Sequence, residues 1–304
     1  MVKLVRTAHS LLILNCLLLL CLPATAQPPQ TIIKLRQQIE QELGKQAGVF
    51  AVAFKDLSTG QELLIREREV FHAASTMKTP VMIEVYKQQA QHKLSLQDSI
   101  PIKTEFSSIV DGSPYQLHPT EDSDSTIYKQ AGTKRTLASL VYDMITVSSN
   151  LATNLIIERV GAPNVTQTMR ELGAKDIQVR RGVEDGKAFK QGLNNTTTPY
   201  DLMLIFEAIA QGRAVNTEAS NAMVNTLLEQ RFNDVIPAKL PKAVKVAHKT
   251  GWVTGVRHDS ALVILPDGRK YVLILLSKEV KDDKAAIDAM ATASALIYKH
   301  MMQL

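Results

Sequence analysis

The feature that most constrains the fold of this chain is the placement of its strand signals, which sit near the two ends and leave a helical middle between them. Residues 49–54 are a β-branched and aromatic run, Ser58-Thr59-Gly60 is a turn, and residues 62–66 continue as a second strand, a hairpin pattern. Strand patterning then disappears. Over residues 75–230, Gly, Pro and Asn punctuate helical stretches such as 75–91, 135–147, 151–160 and 199–211. Alternation returns at 244–249, and strands at 260–265 and 271–277 join through Pro266-Asp267-Gly268, a strong hairpin turn. Strands divided in this way must pair with one another to cover their edges.

Helical spacing supplies the layers around that sheet. Ile33, Leu35, Ile39 and Leu43 recur at helical intervals over residues 31–46, and residues 284–304 close the chain as an amphipathic helix. The expected fold is therefore α+β: an antiparallel sheet flanked by N- and C-terminal helices, plus an all-α lobe. The α/β lobe is expected from 27–70 and 235–304, and the all-α lobe from about 71–234. Residues 104–135 are polar and rich in Ser, Asp and Gly, which predicts a loop beside the sheet or at the mouth of an active site.

The first residues read as an export address. Lys3 and Arg6 precede an apolar run from 11 to 22, and Ala24-Thr25-Ala26 is a small-x-small cleavage signature, so cleavage after Ala26 is expected. The run is shorter than the roughly 20 residues that a spanning helix needs. A lipid anchor on Cys21 is disfavoured by the bulky Leu20 before it. Both cysteines, Cys16 and Cys21, fall in that leader, so the remaining chain is expected to have neither a disulfide nor a thiol nucleophile. A leader without disulfides suits a bacterial periplasm or exterior. The net charge of +5, part of it in the leader, comes with no basic block of the nucleic-acid-binding kind. The chain is expected to work as a monomer, without nucleic acid, and without a membrane once the leader is gone.

Three short motifs carry chemistry. In Ser75-Thr76-Met77-Lys78, Ser and Lys three apart at a helix start share one face, so an amine of depressed pKa can act on the hydroxyl. Lys249-Thr250-Gly251 follows an alternating strand; a cation, a hydroxyl and a residue without Cβ on an edge strand can hold a carboxylate while backbone lies along an acyl-amide substrate. Ser148-Ser149-Asn150, at a helix junction, offers a hydroxyl for proton relay and an amide for a substrate carbonyl. Each motif alone is common.

In this order, S-x-x-K, S-x-N and K-T-G resemble the active-site set of the penicillin-recognising serine hydrolases, and of class A β-lactamases in particular. Phe71 before the nucleophile, Pro199 opening a helix after a long loop, and Arg257-His258-Asp259 after K-T-G extend the resemblance along most of the chain. It implies Ser75 as nucleophile, with Lys78 and Ser148 as proton carriers. Asn150, Lys249, Thr250 and Gly251 would be substrate contacts, and the N–H groups of Ser75 and Trp252 an oxyanion hole. Arg257 would grip the substrate carboxylate, or else form a surface ion pair. Trp252 stands where the family often has a small residue and could shape which acyl groups fit. Glu184 would activate the deacylating water, with Asp185 as the alternative acid; the usual E-x-x-L-N continuation is replaced by Asp185, Gly186, Lys187 and Ala188. Ser149 replaces the carboxylate that braces the S-x-N junction, so other hydrogen bonds must hold that corner.

The resemblance implies hydrolysis of a small β-lactam through a Ser75 acyl-enzyme, without metal or cofactor. The alternatives are a D,D-peptidase acting on cell-wall peptides and a sensor that stays acylated. Other signals fail. The run from Gly182 to Lys187 lacks the spacing and the Ser/Thr of a phosphate loop, and Asp122-Ser123-Asp124 lacks the Gly and Glu of a calcium loop and reads as solvated. His72, His248 and His258 show no metal-ligand spacing, and Ser75 is not in a G-x-S-x-G elbow.

Overall fold

The computed structural model describes residues 1–2 and 30–304 of the chain; the leader, its cleavage position and both cysteines lie outside the described residues. In chain order the elements are α1 (Gln30–Leu43), β1 (Val49–Asp56), β2 (Glu62–Ile65), β3 (Phe71–His72), a 3-10 turn (Ala74–Met77), α2 (Lys78–Ala90), β4 (Ser99–Pro101), β5 (Glu105–Ser107) and β6 (Pro114–Gln116). A second 3-10 turn (Ile127–Gln130), β7 (Lys134–Thr136), α3 (Leu137–Thr146), α4 (Asn150–Val160), α5 (Ala162–Glu171), α6 (Gly186–Lys190) and β8 (Thr196–Thr197) follow. Then come α7 (Pro199–Ala210), α8 (Thr217–Leu228), β9 (Lys245–Val253), β10 (Val256–Ile264), β11 (Lys270–Lys278) and α9 (Asp283–Met301).

Five strands form one antiparallel sheet in the order β2-β1-β11-β10-β9. The two ends of the sequence meet at its centre, where β1 pairs with β11 from Val49 opposite Lys278 to Asp56 opposite Tyr271. This leaves β9, the strand carrying Lys249-Thr250-Gly251, at an edge with one side of its backbone free.

Side-chain alternation along the strands divides the core in two. Phe50, Val52 and Phe54 of β1 face a layer made by α1 and α9, with Ile39, Ala289, Met290 and Ile297 buried there. Ala51 and Ala53 face the other way, into a larger core with α2, α3, α4, α7 and α8. Alanines on that face let α7 approach the sheet, where Met203 and Phe206 are fully buried. One position departs from the sequence reading: Ile32, not Ile33, joins Leu35, Ile39 and Leu43 in the core, and Ile33 is exposed. The periodic set fits either isoleucine at its first turn, and contact with α9 selects between them. The polar stretch 104–135 is also more ordered than its composition predicts, folding as the β5/β6 hairpin and a 3-10 turn beside the N-terminus of α4. Among the described residues no helix is long and apolar enough to cross a membrane.

Candidate active site

Ser75, Asn150 and the acid loop at Glu184 line one cavity of about 400 Å³, together with Phe189 and with Trp252 and Val253, which follow the third motif on β9. Ser75 sits on the 3-10 turn and is half-buried. The backbone enters that turn through Ala74 in the left-handed region, at φ 44, a conformation a non-glycine residue adopts at a cost of about 1–3 kcal/mol. Neighbours hold it there: Ala74 N–H donates to His72 Nδ1 at 3.0 Å, and Ala73 N–H donates to the Asn195 carbonyl at 2.8 Å. His258, fully buried with its pKa pushed down to about 4 by that burial, remains neutral and donates from Nε2 to the His72 carbonyl at 2.9 Å. It is a strut between β10 and the segment that leads into the Ser75 turn.

Lys78 opens α2 one turn beyond Ser75, and its N–H donates to the Ser75 carbonyl. Its Nζ is completely buried and donates to the Ser148 carbonyl (2.6 Å), Asn150 Oδ1 (2.9 Å) and Ser148 Oγ (3.2 Å). Lys249 reaches the same hydroxyl from β9, with Nζ 3.0 Å from Ser148 Oγ. Two buried amines meeting at one hydroxyl cannot both keep their protons cheaply. Burial brings Lys78 down to about 7 despite the opposing charges of Asp122 and Glu184. Lys249 is depressed as well, by burial and then by Lys78. Both amines are thus held below the ordinary lysine range, and giving up a proton from the pair is easier than from a solvated lysine. Ser148 itself is left-handed, at φ 57, which turns its hydroxyl toward both amines.

On the opposite wall Glu184, also left-handed at φ 61, is open to the cavity and accepts from Asn150 Nδ2 at 3.2 Å. Partial burial raises its pKa, Glu121 adds to the effect, and Lys78 and Arg181 oppose it. The loop that carries it is stapled at several points. Asn154, one helical turn beyond Asn150 on α4, accepts from Val183 N–H at 2.6 Å and donates to the Val183 carbonyl at 3.0 Å. A side chain at Gly182 would bring its Cβ to 2.3 Å from Asn154 Oδ1, so only glycine fits there without displacement. Arg181 donates to the carbonyls of Leu193 and Gly182, and Asn195 Oδ1 accepts from Arg180 and Arg181 N–H.

Asp185, the alternative acid, is buried and faces away from that role. It caps α6 by accepting from Ala188 N–H at 3.0 Å, and it accepts from Ser108 Oγ and Ile109 N–H. Gly251 packs β9 against the turn that carries Ser75: a Cβ there would lie 3.2 Å from Ser75 N and Thr76 N. Thr250 lies on the same edge strand opposite Asp259, and its carbonyl accepts from Lys249 Nζ at 2.9 Å. Trp252 is largely exposed at the rim. Arg257 pairs across the ladder with Trp252, lies 4.8 Å beneath its ring, and donates to Asp283 at 2.7 Å. In this structure its guanidinium is engaged by Asp283 and by the Trp252 ring.

The corner left without its usual carboxylate is braced from elsewhere. Ser149 caps α4 only at Ala152 N–H, while Asp122 accepts from the N–H groups of Asn150 and Leu151, each at 2.9 Å. The expectation of a solvated loop at Asp122 is corrected: its carboxylate is bound at the helix start. Asp122, Asn154 and Asn195 were not among the expected site residues. Asn154 has a sequence signal, a polar residue one turn after Asn150 on a buried helix face; Asp122 has none, since loop register is invisible without the fold. Among the described residues no group of three or more His, Cys, Asp or Glu is placed to hold a metal ion.

This scaffold is of the β-lactamase/transpeptidase type. The solved structure of PBP-A superposes with a TM-score of 0.77 at 26% identity, covering 91% of this chain and 99% of that one. A β-lactamase from Sphaerobacter thermophilus superposes with a TM-score of 0.74 at 26% identity, over 90% of this chain and 98% of that one. Residues 34–301 match the family model described as the beta-lactamase enzyme family, and the chain belongs to that family. Among curated proteins it is similar to β-lactamase SME-1 of Serratia marcescens, 28% identical over 289 residues and 92% of each chain. It is also similar to β-lactamase ROB-1 of Haemophilus influenzae, 26% identical over 280 residues, 90% of this chain and 84% of that one.

Proposed function

We propose that the protein is an exported serine β-lactamase that opens the β-lactam amide through an acyl-enzyme on Ser75 and hydrolyses it with water activated by Glu184. The observation that carries this reading is the meeting of Lys78 and Lys249 at Ser148 Oγ, one helical turn from Ser75. Neutral Lys78 takes the Ser75 proton as Oγ attacks the lactam carbonyl, and the N–H groups of Ser75 and Trp252 stabilise the oxyanion. Ser148 passes a proton to the departing ring nitrogen, completing C–N cleavage, while Lys249 and the Thr250 edge attract the substrate carboxylate. Glu184 then removes a proton from water, which attacks the ester carbonyl; the acid product leaves and Ser75 regains its proton.

A second reading, a D,D-peptidase or a sensor that stays acylated, draws on one observation. The position four residues after Glu184 holds buried Ala188 and so offers no amide to the hydrolytic water. Nitrocefin turnover by residues 27–304 with intact-mass analysis separates the two: turnover without a lasting adduct supports the β-lactamase, and a lasting adduct supports the trap. The leader reading, with cleavage after Ala26 and a periplasmic or secreted enzyme, is tested by the N-terminal sequence of exported protein.

A further inference from the structure

Four hydrogen bonds converge on one carboxylate that none of the three motifs contains. Asp122 Oδ1 accepts from Asn150 N–H (2.9 Å) and Asp124 N–H (3.0 Å), and Oδ2 accepts from Leu151 N–H (2.9 Å) and Tyr128 OH (2.9 Å). Two of these donors are the first amides of α4, which have no partner inside the helix, and the other two belong to the loop that presents Asp122. The carboxylate thus binds the loop to the helix at the residue whose side chain spans the site. Asn150 receives Lys78 Nζ on its Oδ1 and gives its Nδ2 to Glu184 Oε1. Ser148, two residues earlier, receives both lysines. Ser149 between them is fully buried and has only a hydroxyl, engaged by Ala152 N–H at 3.3 Å.

We propose that Asp122 is a positioning residue of the active site, whose carboxylate clamps the start of α4 and so keeps Ser148 and Asn150 aligned with Lys78 and Glu184. It supplies from a distant loop the brace that Ser149 lacks. The groups that face Lys78 are Asp122, Glu184 and Lys249, so the loss of Asp122 also removes one of the two negative charges that favour its ammonium form. This inference rests on Ser75 being the nucleophile, and the experiment keeps the two apart.

The rate of Ser75 acylation by a fluorescent penicillin, per titrated active site, is measured from pH 5 to 9 for the wild type, D122N and D124N. Asp124 gives the clamp only its backbone N–H, which D124N retains, and its carboxylate accepts only from Thr126. D122N is expected to acylate about tenfold or more slowly, the scale of a misplaced proton carrier. Its acid limb is expected to move to lower pH, because Lys78 loses a proton more readily beside a neutral Asn; D124N should follow the wild type. A role confined to stability would lower the titrated fraction or the Tm and leave rate and pH profile per site unmoved, which would overturn the proposal. If D122N yields no folded protein, Y128F decides: removing one of the four donors should slow acylation a few-fold, and an unchanged rate overturns the inference. Absence of labelling in the wild type would instead overturn the Ser75 reading, and this inference with it.

Discussion

Glu184→Gln isolates the step that separates a β-lactamase from an acyl trap. The substitution keeps the side chain's length and an oxygen for Asn150 Nδ2, now 3.2 Å away, so the wall of the cavity should keep its shape. What it removes is the proton acceptor. A positioned general base is worth about 10²–10⁴ in rate, so turnover should fall by that factor while acylation of Ser75 continues. The adduct then accumulates, and the intact mass rises by that of the β-lactam. Loss of the Glu184 charge also favours the neutral form of Lys78, so acylation at pH below about 7 should be no slower than in the wild type. Stopped-flow nitrocefin hydrolysis gives turnover, and quenched samples give the adduct fraction. Wild-type turnover in Glu184→Gln would refute the assignment. A fall in turnover without adduct would refute the separation of the two steps, since acylation itself would then depend on Glu184.

Three further outcomes follow from the same geometry. Lys78→Ala should slow penicillin labelling by about 10²–10⁴, and in the wild type kcat/KM should decline as pH falls through about 7, where Lys78 gains its proton; labelling that is flat from pH 5 to 8 would contradict the base role. Gly182→Ala should cost about 1–3 kcal/mol by overpacking against Asn154, read as a lower Tm, and should slow deacylation more than acylation because the Glu184 loop is displaced. Trp252→Ala should raise KM several-fold for β-lactams with aromatic acyl groups and leave small-acyl substrates little changed, since the exposed ring supplies apolar contact at the rim; a uniform effect on both would assign the ring to its stack with Arg257.

The architecture was legible where periodicity spoke. Alternation at both ends and the hairpin turn at Pro266-Asp267-Gly268 predict the sheet, and pairing of β1 with β11 follows from edge coverage. The helical middle was legible as a class but not in full: α5 and α8 were not delimited, although Val165 and Met169, four apart, mark one buried face of α5. At the site, Ser75, Lys78, Ser148 and Lys249 are short-range motifs that the fold brings together, so they could be read. The partner of Arg257 in this structure was not legible, because Asp283 approaches it from the start of α9, far along the chain. Asp122 and Asp185 were misjudged or left open for the same reason. An acidic residue in a polar loop looks solvated until a helix N-terminus or a buried amide is placed beside it.

The meeting of β1 and β11 at the centre of the sheet also sets the order in which the molecule can come alive. Val49 cannot find Lys278 until nearly the whole chain has been synthesised, and Lys249 reaches Ser148 only once β9 has joined that same sheet. Closing so long a segment is entropically slow, so the central pairing of the sheet comes after the local contacts within it. A growing chain therefore carries Ser75 and Lys78 with neither the second amine nor the Gly251 edge beside them. The two amines meet at Ser148 only when the fold is complete, so a fragment ending before β9 is expected to be inert.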